Sequence, residues 1–407
     1  MVDIPAGSHQ VRIDTARRTL GAISVAHWVR HFHIFVLPML FPFLKDRLGV
    51  SYVDLGLALT VFAVVSGLTQ APIGYLVDRI GARKILILGM TLGGAALIAL
   101  GLHLSYPTLI VCAALLGLAN SVYHPADYAI LSAHMDETRM GRAFSIHSFA
   151  GFLGGAVAPA IMAALVAGIG GASALIVAGL IGLAVVLMLV VVGIPDAGAM
   201  HDATEGEPAA KVSMMNPAIL LLTLFFTLLA LSQNGINSFG IVALISGYGI
   251  SFSAANIALT AYLGCSAAGV LVGGVLADRT VRHGQIAAGC FAINAAIVFT
   301  IASVTMPLLL LTLTMAVAGF LSGVIVPSRD MLVRNAAPPG AAGRAFGIVS
   351  TGFNFGGIVS PILFGWLMDS ALPGWVFGAS AAFMAATVVL ALVSEKRPTL
   401  SSRTSER

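Results

Sequence analysis

The chain matches itself when displaced by about two hundred residues, and no other feature restricts its possible folds so much. Gly74, Leu76, Asp78 and Arg79 recur as Gly274, Leu276, Asp278 and Arg279. At a shift of 202, Gly117, Pro125, Gly141, Arg142, Phe144, Gly154, Gly155 and Pro159 recur as Gly319, Pro327, Gly343, Arg344, Phe346, Gly356, Gly357 and Pro361. The matches include loop residues and helix prolines as well as common apolar residues, so they mark a duplicated unit. In a chain that is 58% hydrophobic and 9% charged, such a duplication is the usual construction of membrane carriers, whose cargo binds between the repeats.

Composition supports the same reading. A soluble core of this size needs a charged shell, and so few charged residues cannot supply one, so lipid is the solvent for most of the surface. Twelve apolar stretches are each long enough, at about 18 residues or more, to cross a hydrocarbon core of roughly 30 Å as a helix. The first is placed at residues 20–44 and the seventh at 216–245. The expected fold is an all-α membrane protein with twelve transmembrane helices in two pseudo-symmetric six-helix bundles. No cleavage site follows a short apolar core near the start, so no removable signal peptide is expected. Cys112, Cys265 and Cys290 all fall within spans and read as small packing residues, without a disulfide or metal framework.

Arg30 and Arg329 lie inside spans and Lys45 and Arg47 on one side, which leaves 17 of the 21 Lys and Arg residues on the other side. That bias places both termini in the cytoplasm. The longest polar interruption, 195–215, contains Pro195, Pro208 and several acids and reads as a flexible cytoplasmic linker. The domains are accordingly 1–194, the linker 195–215, and 216–407 with a short cytoplasmic tail. An even number of spans separates the halves, so they share an orientation and are related by an axis along the membrane normal.

After span 2 comes Gly74-Tyr75-Leu76-Val77-Asp78-Arg79-Ile80-Gly81-Ala82-Arg83-Lys84, with a degraded copy at Gly274 to Arg279. This resembles the loop 2–3 signature of the major facilitator superfamily, and twelve spans, a six-plus-six duplication and a central linker agree with it along the whole chain. In physical terms Gly74 permits close helix approach, Asp78 accepts hydrogen bonds at a helix end, and the cations suit a partner acid or anionic headgroups. A solvated loop that only fixes topology would read the same. The resemblance implies a conformational latch at Gly74, Asp78, Arg79, Arg83, Asp278 and Arg279, with Ala82 replacing the usual basic residue.

Asn120-Ser121-Val122-Tyr123-His124-Pro125-Ala126-Asp127, followed by Arg139 to Ser145, is similar to the corresponding segment of fosmidomycin-resistance-type exporters. That resemblance implies proton-coupled efflux. Gly151, Gly154, Gly155 and Pro159 partly resemble a signature of drug:proton antiporters, but Gly356, Gly357 and Pro361 repeat it, and close packing with a kink explains both.

An ionisable side chain inside a span costs about 2.5–3.5 kcal/mol on insertion scales and invites a functional reading. At about 100° per residue, Asn120, Tyr123, His124 and Asp127 share one face of span 4, and His27, Arg30, His31 and Ile34 one face of span 1. Asp127, His124 and His31 are the expected proton-coupling groups. Arg30, His33, Asn120, Tyr123, Gln233, Asn234, Asn237 and Arg329 are the expected substrate-cavity groups, since the family resemblance implies that spans 1, 4, 7 and 10 line the cavity. His33 lies at the edge of its stripe, and His147 near the cytoplasmic end of span 5.

Asp127 and Arg329 are repeat-equivalent, and Asp127 is expected to pair with Arg329 or Arg30 in at least one conformation; a static buried ion pair is the competing account. His27 and His31 could bind a metal together, but Arg30 between them opposes a cation, and no resident metal is expected. Two arginines instead favour a carboxylate or phosphonate.

No phosphate-binding loop or nucleophile–base motif is present, so neither ATP coupling nor an enzyme is expected, nor any cofactor. The readings that remain are a proton-coupled exporter of a small organic compound, a proton-coupled uptake carrier for a small organic anion, a metal or metal-chelate exporter, and a sensor with the carrier fold. Expected partners are a small-molecule substrate, protons and the lipid bilayer, with no nucleic acid. A monomer in a bacterial inner membrane is expected.

Overall fold

The structure, a computed structural model, describes residues 6–135, 139–194, 196, 217–280, 282–336 and 342–396. The linker expected at 195–215, apart from Asp196, and the tail beyond 396 lie outside the described residues. Every regular element among the described residues is helical. The first half contains α1 (Ala6–Met39), α2 (Phe41–Leu48), α3 (Tyr52–Ile80), α4 (Ala82–Leu102), α5 (Tyr106–His134), α6 (Met140–Ile169) and α7 (Gly171–Val192). The second contains α8 (Pro217–Asn234), a π-helical turn (Gly235–Phe239), α9 (Gly240–Tyr248), α10 (Phe252–Asp278), α11 (His283–Ser303), α12 (Leu308–Ala336), α13 (Ala342–Asp369) and α14 (Gly374–Lys396). Twelve of these segments are long and apolar enough to cross a membrane, with α8, the π turn and α9 forming one of them.

Span 1 begins and ends earlier than the apolar pattern suggests. Its apolar window runs Asp14–Met39, and a separate short helix, α2, follows. Pro42 lies at the start of α2, where its missing N–H is no loss, whereas in a continuous helix through 44 its ring would clash with the preceding turn.

The duplication is visible in local geometry. Gly49 and Gly249 end α2 and α9 in the left-handed region, at φ 64° and 66°, a conformation that L side chains resist. Ser51 Oγ then accepts from Asp54 N at 3.0 Å, and Ser251 Oγ from Ala254 N at 3.2 Å, capping the starts of α3 and α10. Close approach repeats as well, for a Cβ at Gly117 would meet the carbonyl oxygen of Phe62, and one at Gly319 that of Tyr262. Lipid tails are as apolar as leucine, so helices associate through such packing rather than through exclusion from water.

Two compact units result. One takes the described residues up to Leu37 and from Val61 to Asp196; the other takes Pro38–Thr60 together with the described residues from Pro217 onward. In the first, Ile23, Val29, Leu86, Met90, Val122 and Ile130 form a buried core from α1, α4 and α5. In the second, Phe225 packs edge-on against Phe291. Here the Asp369 carboxylate accepts from Tyr52 N at 2.9 Å and Val53 N at 2.8 Å, and Thr60 Oγ1 donates to Ile358 O at 3.0 Å. These bonds explain why Pro38–Thr60 groups with the later helices.

Candidate functional site

Beyond Thr19 the ionisable residues of α1 are His27, Arg30, His31 and His33, and the first three share a single face. α5 carries Asn120, Tyr123, His124 and Asp127 on one face, and α6 contributes His147. These side chains meet. Asp127 is fully buried, and its Oδ2 stands 3.1 Å from His27 Nδ1 and 3.4 Å from His147 Nε2. The His27 and His147 rings lie 3.9 Å apart between centroids, and His31 and His124 lie 4.8 Å and 6.1 Å from His27. Two imidazoles therefore contact the carboxylate, and two more lie beside the His27 ring.

Space for them comes from α6. A Cβ at Gly151 would sit 2.5 Å from His27 Cδ2 and 2.8 Å from His31 Cδ2, so a residue without a side chain is what admits two rings. One turn further on, a Cβ at Gly154 would meet the carbonyl oxygen of Trp28, which holds α6 close against α1. Two polar atoms in the cluster, Asp127 Oδ1 and His147 Nδ1, are buried without a hydrogen-bond partner.

Arg30 points elsewhere. Its Nε donates to Asn120 Oδ1 at 2.9 Å, and Asn120 Nδ2 donates to Ser66 Oγ at 2.8 Å. Its guanidinium lies 5.8 Å from the Tyr123 ring centroid, and its Nη1 is 3.4 Å from His31 Nε2. The chain Ser66, Asn120, Arg30 orients a buried cation beside a cavity of about 20 Å³ that Arg30, His33, Asn120 and Tyr123 help to line, room for about one water. His33 also bonds to the Ala178 carbonyl oxygen through Nε2 at 2.9 Å, tying α1 to α7.

In the second unit, Arg329 Nε donates to Asp330 Oδ1 at 2.8 Å, and the guanidinium carbon lies 5.0 Å and 5.2 Å from the ring centroids of Phe226 and Phe353. Asn234 Nδ2 donates to Ser360 Oγ at 3.0 Å. Gln233 and Asn237 are half-buried, and Asn237 Oδ1 lacks a partner.

Of the sequence-derived residues, Asp127, His124 and His31 come together, and Arg30, Asn120 and Tyr123 form a second group beside them. The partners of Asp127 are imidazoles rather than Arg30. His27 and His147, to which the sequence assigns no coupling role, make the closest contacts with the carboxylate. His27 was legible as the residue one turn before His31. Nothing in the α6 sequence orients His147.

The latch residues are more dispersed. Asp78 and Arg79 are exposed, with Arg79 5.1 Å from the Tyr75 ring centroid, and Gly74 has only Pro125 Cβ near its missing side chain, at 3.9 Å. Arg83 is anchored by its backbone, whose N–H donates to Asp196 Oδ1 at 3.1 Å. Asp278 and Arg279 end α10, exposed.

Comparison with known proteins agrees with this architecture. The sequence profile of the Major Facilitator Superfamily matches residues 23–245 and 222–407, and the chain belongs to that family of membrane transporters, which are not enzymes. It is 26% identical over 289 residues to the Fosmidomycin resistance protein of Escherichia coli (strain K12), covering 68% of this chain and 69% of that one. It is 26% identical over 321 residues to the Membrane sensor protein UhpC of Salmonella typhimurium, covering 73% and 72%. Among solved structures, a bacterial homolog of the human lysosomal transporter Spinster superposes with a TM-score of 0.75 at 17% identity, over 95% of this chain and 96% of that one.

Proposed function

We propose that this chain is a secondary active carrier that works by alternating access and exports a small organic anion in exchange for protons. The observation that carries the reading is one unit in which a wholly buried carboxylate, gripped by two imidazoles, adjoins an arginine oriented by Asn120 and Ser66. Charged groups at membrane depth mark ion and substrate pathways. Asp127 offers a proton an oxygen with no other partner, and half-buried His31 and His124 extend the polar stripe away from it. Arg30 presents a guanidinium fork suited to a carboxylate or phosphonate.

Similarity to the Fosmidomycin resistance protein supports export, and the duplicated build supports alternating access. The Lys and Arg bias supports a bacterial plasma-membrane orientation with both termini in the cytoplasm. The described halves complete the duplication in one chain, which supports a monomer.

Flux assays in proteoliposomes under an imposed pH gradient, with a panel of organic anions, test the proposal. Wild type should move substrate against protons, and Asp127→Asn should bind substrate yet show no gradient-driven flux. Flux that ignores the gradient, or that survives the substitution, removes proton coupling. Movement of substrate in the same direction as protons assigns uptake, and binding without flux assigns a sensor, a role that UhpC bears by name.

A further inference from the structure

Three helices deliver one ligating atom each to a single point. His27 Nδ1 from α1, Asp127 Oδ2 from α5 and His147 Nε2 from α6 all lie within 4.8 Å of one another and are buried. We propose that these three atoms form a binding site for a divalent metal ion of the zinc class, which bridges α1, α5 and α6. The proposal goes beyond the transport reading and does not depend on it.

Donor chemistry is the first argument. Two imidazoles and one carboxylate are a set that binds zinc while leaving a fourth position open, and imidazole suits borderline ions such as Zn²⁺, Co²⁺ and Ni²⁺ rather than Mg²⁺ or Ca²⁺. Geometry is the second. A tetrahedral ion with bonds of about 2.0–2.1 Å holds its ligand atoms roughly 3.3 Å apart, and the two edges from Asp127 Oδ2 already measure 3.1 Å and 3.4 Å. Only the edge between the two histidines has to shorten.

The third argument is what Asp127 lacks. It is 0% exposed, its Oδ1 has no hydrogen-bond partner, and among the described residues no Lys or Arg nitrogen lies within ion-pair distance of it. A buried carboxylate in that state is short of positive charge, which an ion at the center of the three donors supplies. Arg30 opposes a cation, but its Nε donates to Asn120, and Asp127 Oδ2, which contacts a nitrogen of each imidazole, offsets its charge at the three donors. His31 and His124 are half-buried imidazoles whose ring centroids lie 4.8 Å and 6.1 Å from that of His27, two further nitrogen donors beside the trio. Reading His27 with His31 along one helix misses this trio, because its members come from three.

Tag-free purified protein in detergent, titrated with Co²⁺ and then with Zn²⁺, tests the proposal without requiring transport. One equivalent of Co²⁺ should give the intense visible absorption of a four-coordinate site, and Zn²⁺ should bleach it. His27→Ala and His147→Ala should each weaken Co²⁺ binding at least about tenfold, while His103→Ala, at an exposed position, should leave it unchanged. His147→Gln, which keeps a polar side chain of similar reach, guards against a folding defect, and its monodisperse elution with lost Co²⁺ absorption would support the site. No stoichiometric Co²⁺ spectrum in the wild type, or an undiminished one in His27→Ala and His147→Ala, overturns it. The Co²⁺ spectrum is read without substrate or a pH gradient, so failure of the metal site and failure of the transport reading are distinguishable.

Discussion

The regions around Asp127 and Arg329 descend from one ancestral segment and have diverged in chemistry. Position 127 in α5 corresponds at a shift of 202 to position 329 in α12, and the prolines two residues before each are retained. At 147 and 349, a buried histidine in α6 corresponds to a buried valine in α13. At 151 and 353, a glycine that makes room for His27 and His31 corresponds to a phenylalanine whose ring sits 5.2 Å from the Arg329 guanidinium. The first unit thus encloses an acid among imidazoles, and the second flanks a cation with aromatic faces. What both retain is the glycine and proline scaffold that sets helix approach. Duplication has preserved the packing and left the polar chemistry free to specialise.

The contrast can be broken most severely at the glycine. Gly151→Phe, which imports the second unit's residue, should drive a ring into His27 and His31 and lower stability by about 1–3 kcal/mol or more, read as a fall in the thermal unfolding midpoint of purified protein. An unchanged midpoint would mean that the imidazole cluster is loosely packed. A smaller effect is expected in the other unit. Arg329→Lys keeps the charge but loses the planar group that stacks on Phe226 and Phe353, a contact of about 0.5–2 kcal/mol, so the thermal unfolding midpoint should fall, by less than in Gly151→Phe. An unchanged midpoint would show that the aromatic faces add nothing to the charge. Smallest is Asp196→Asn, which weakens the carboxylate at the start of α4 and should cost about 0.3–1 kcal/mol. Amide exchange at Arg83 should quicken, and a constant rate would show the bond to be incidental.

Features repeated along the chain were legible in the sequence, while features made by distant contacts were not. The twelve spans follow from runs of apolar residues, and the stripes on α1 and α5 follow from spacing at about 100° per residue. Both appear where the sequence places them, apart from span 1, which begins and ends earlier. His147 is different, since its neighbours Ile146 and Phe149 are exposed apolar residues and the orientation of α6 is fixed by Gly154 against the Trp28 carbonyl. Pro38–Thr60 groups with later helices through Asp369 and Ile358, contacts spanning about three hundred residues. Local patterns carry no record of such partners.

The π-helical turn Gly235–Phe239 changes how span 7 is to be read. A π turn accommodates one more residue than an α turn, so everything beyond it is rotated by about 100° relative to an unbroken helix. Asn234 and Asn237, which would point to nearly the same side of a regular helix, straddle this slip; the first reaches Ser360 and the second leaves Oδ1 without a partner. Span 7 therefore has two phases rather than one polar face. A single residue inserted or deleted at the turn would act as a change of phase, turning α9 about its axis while leaving the loop at Gly249 the same length.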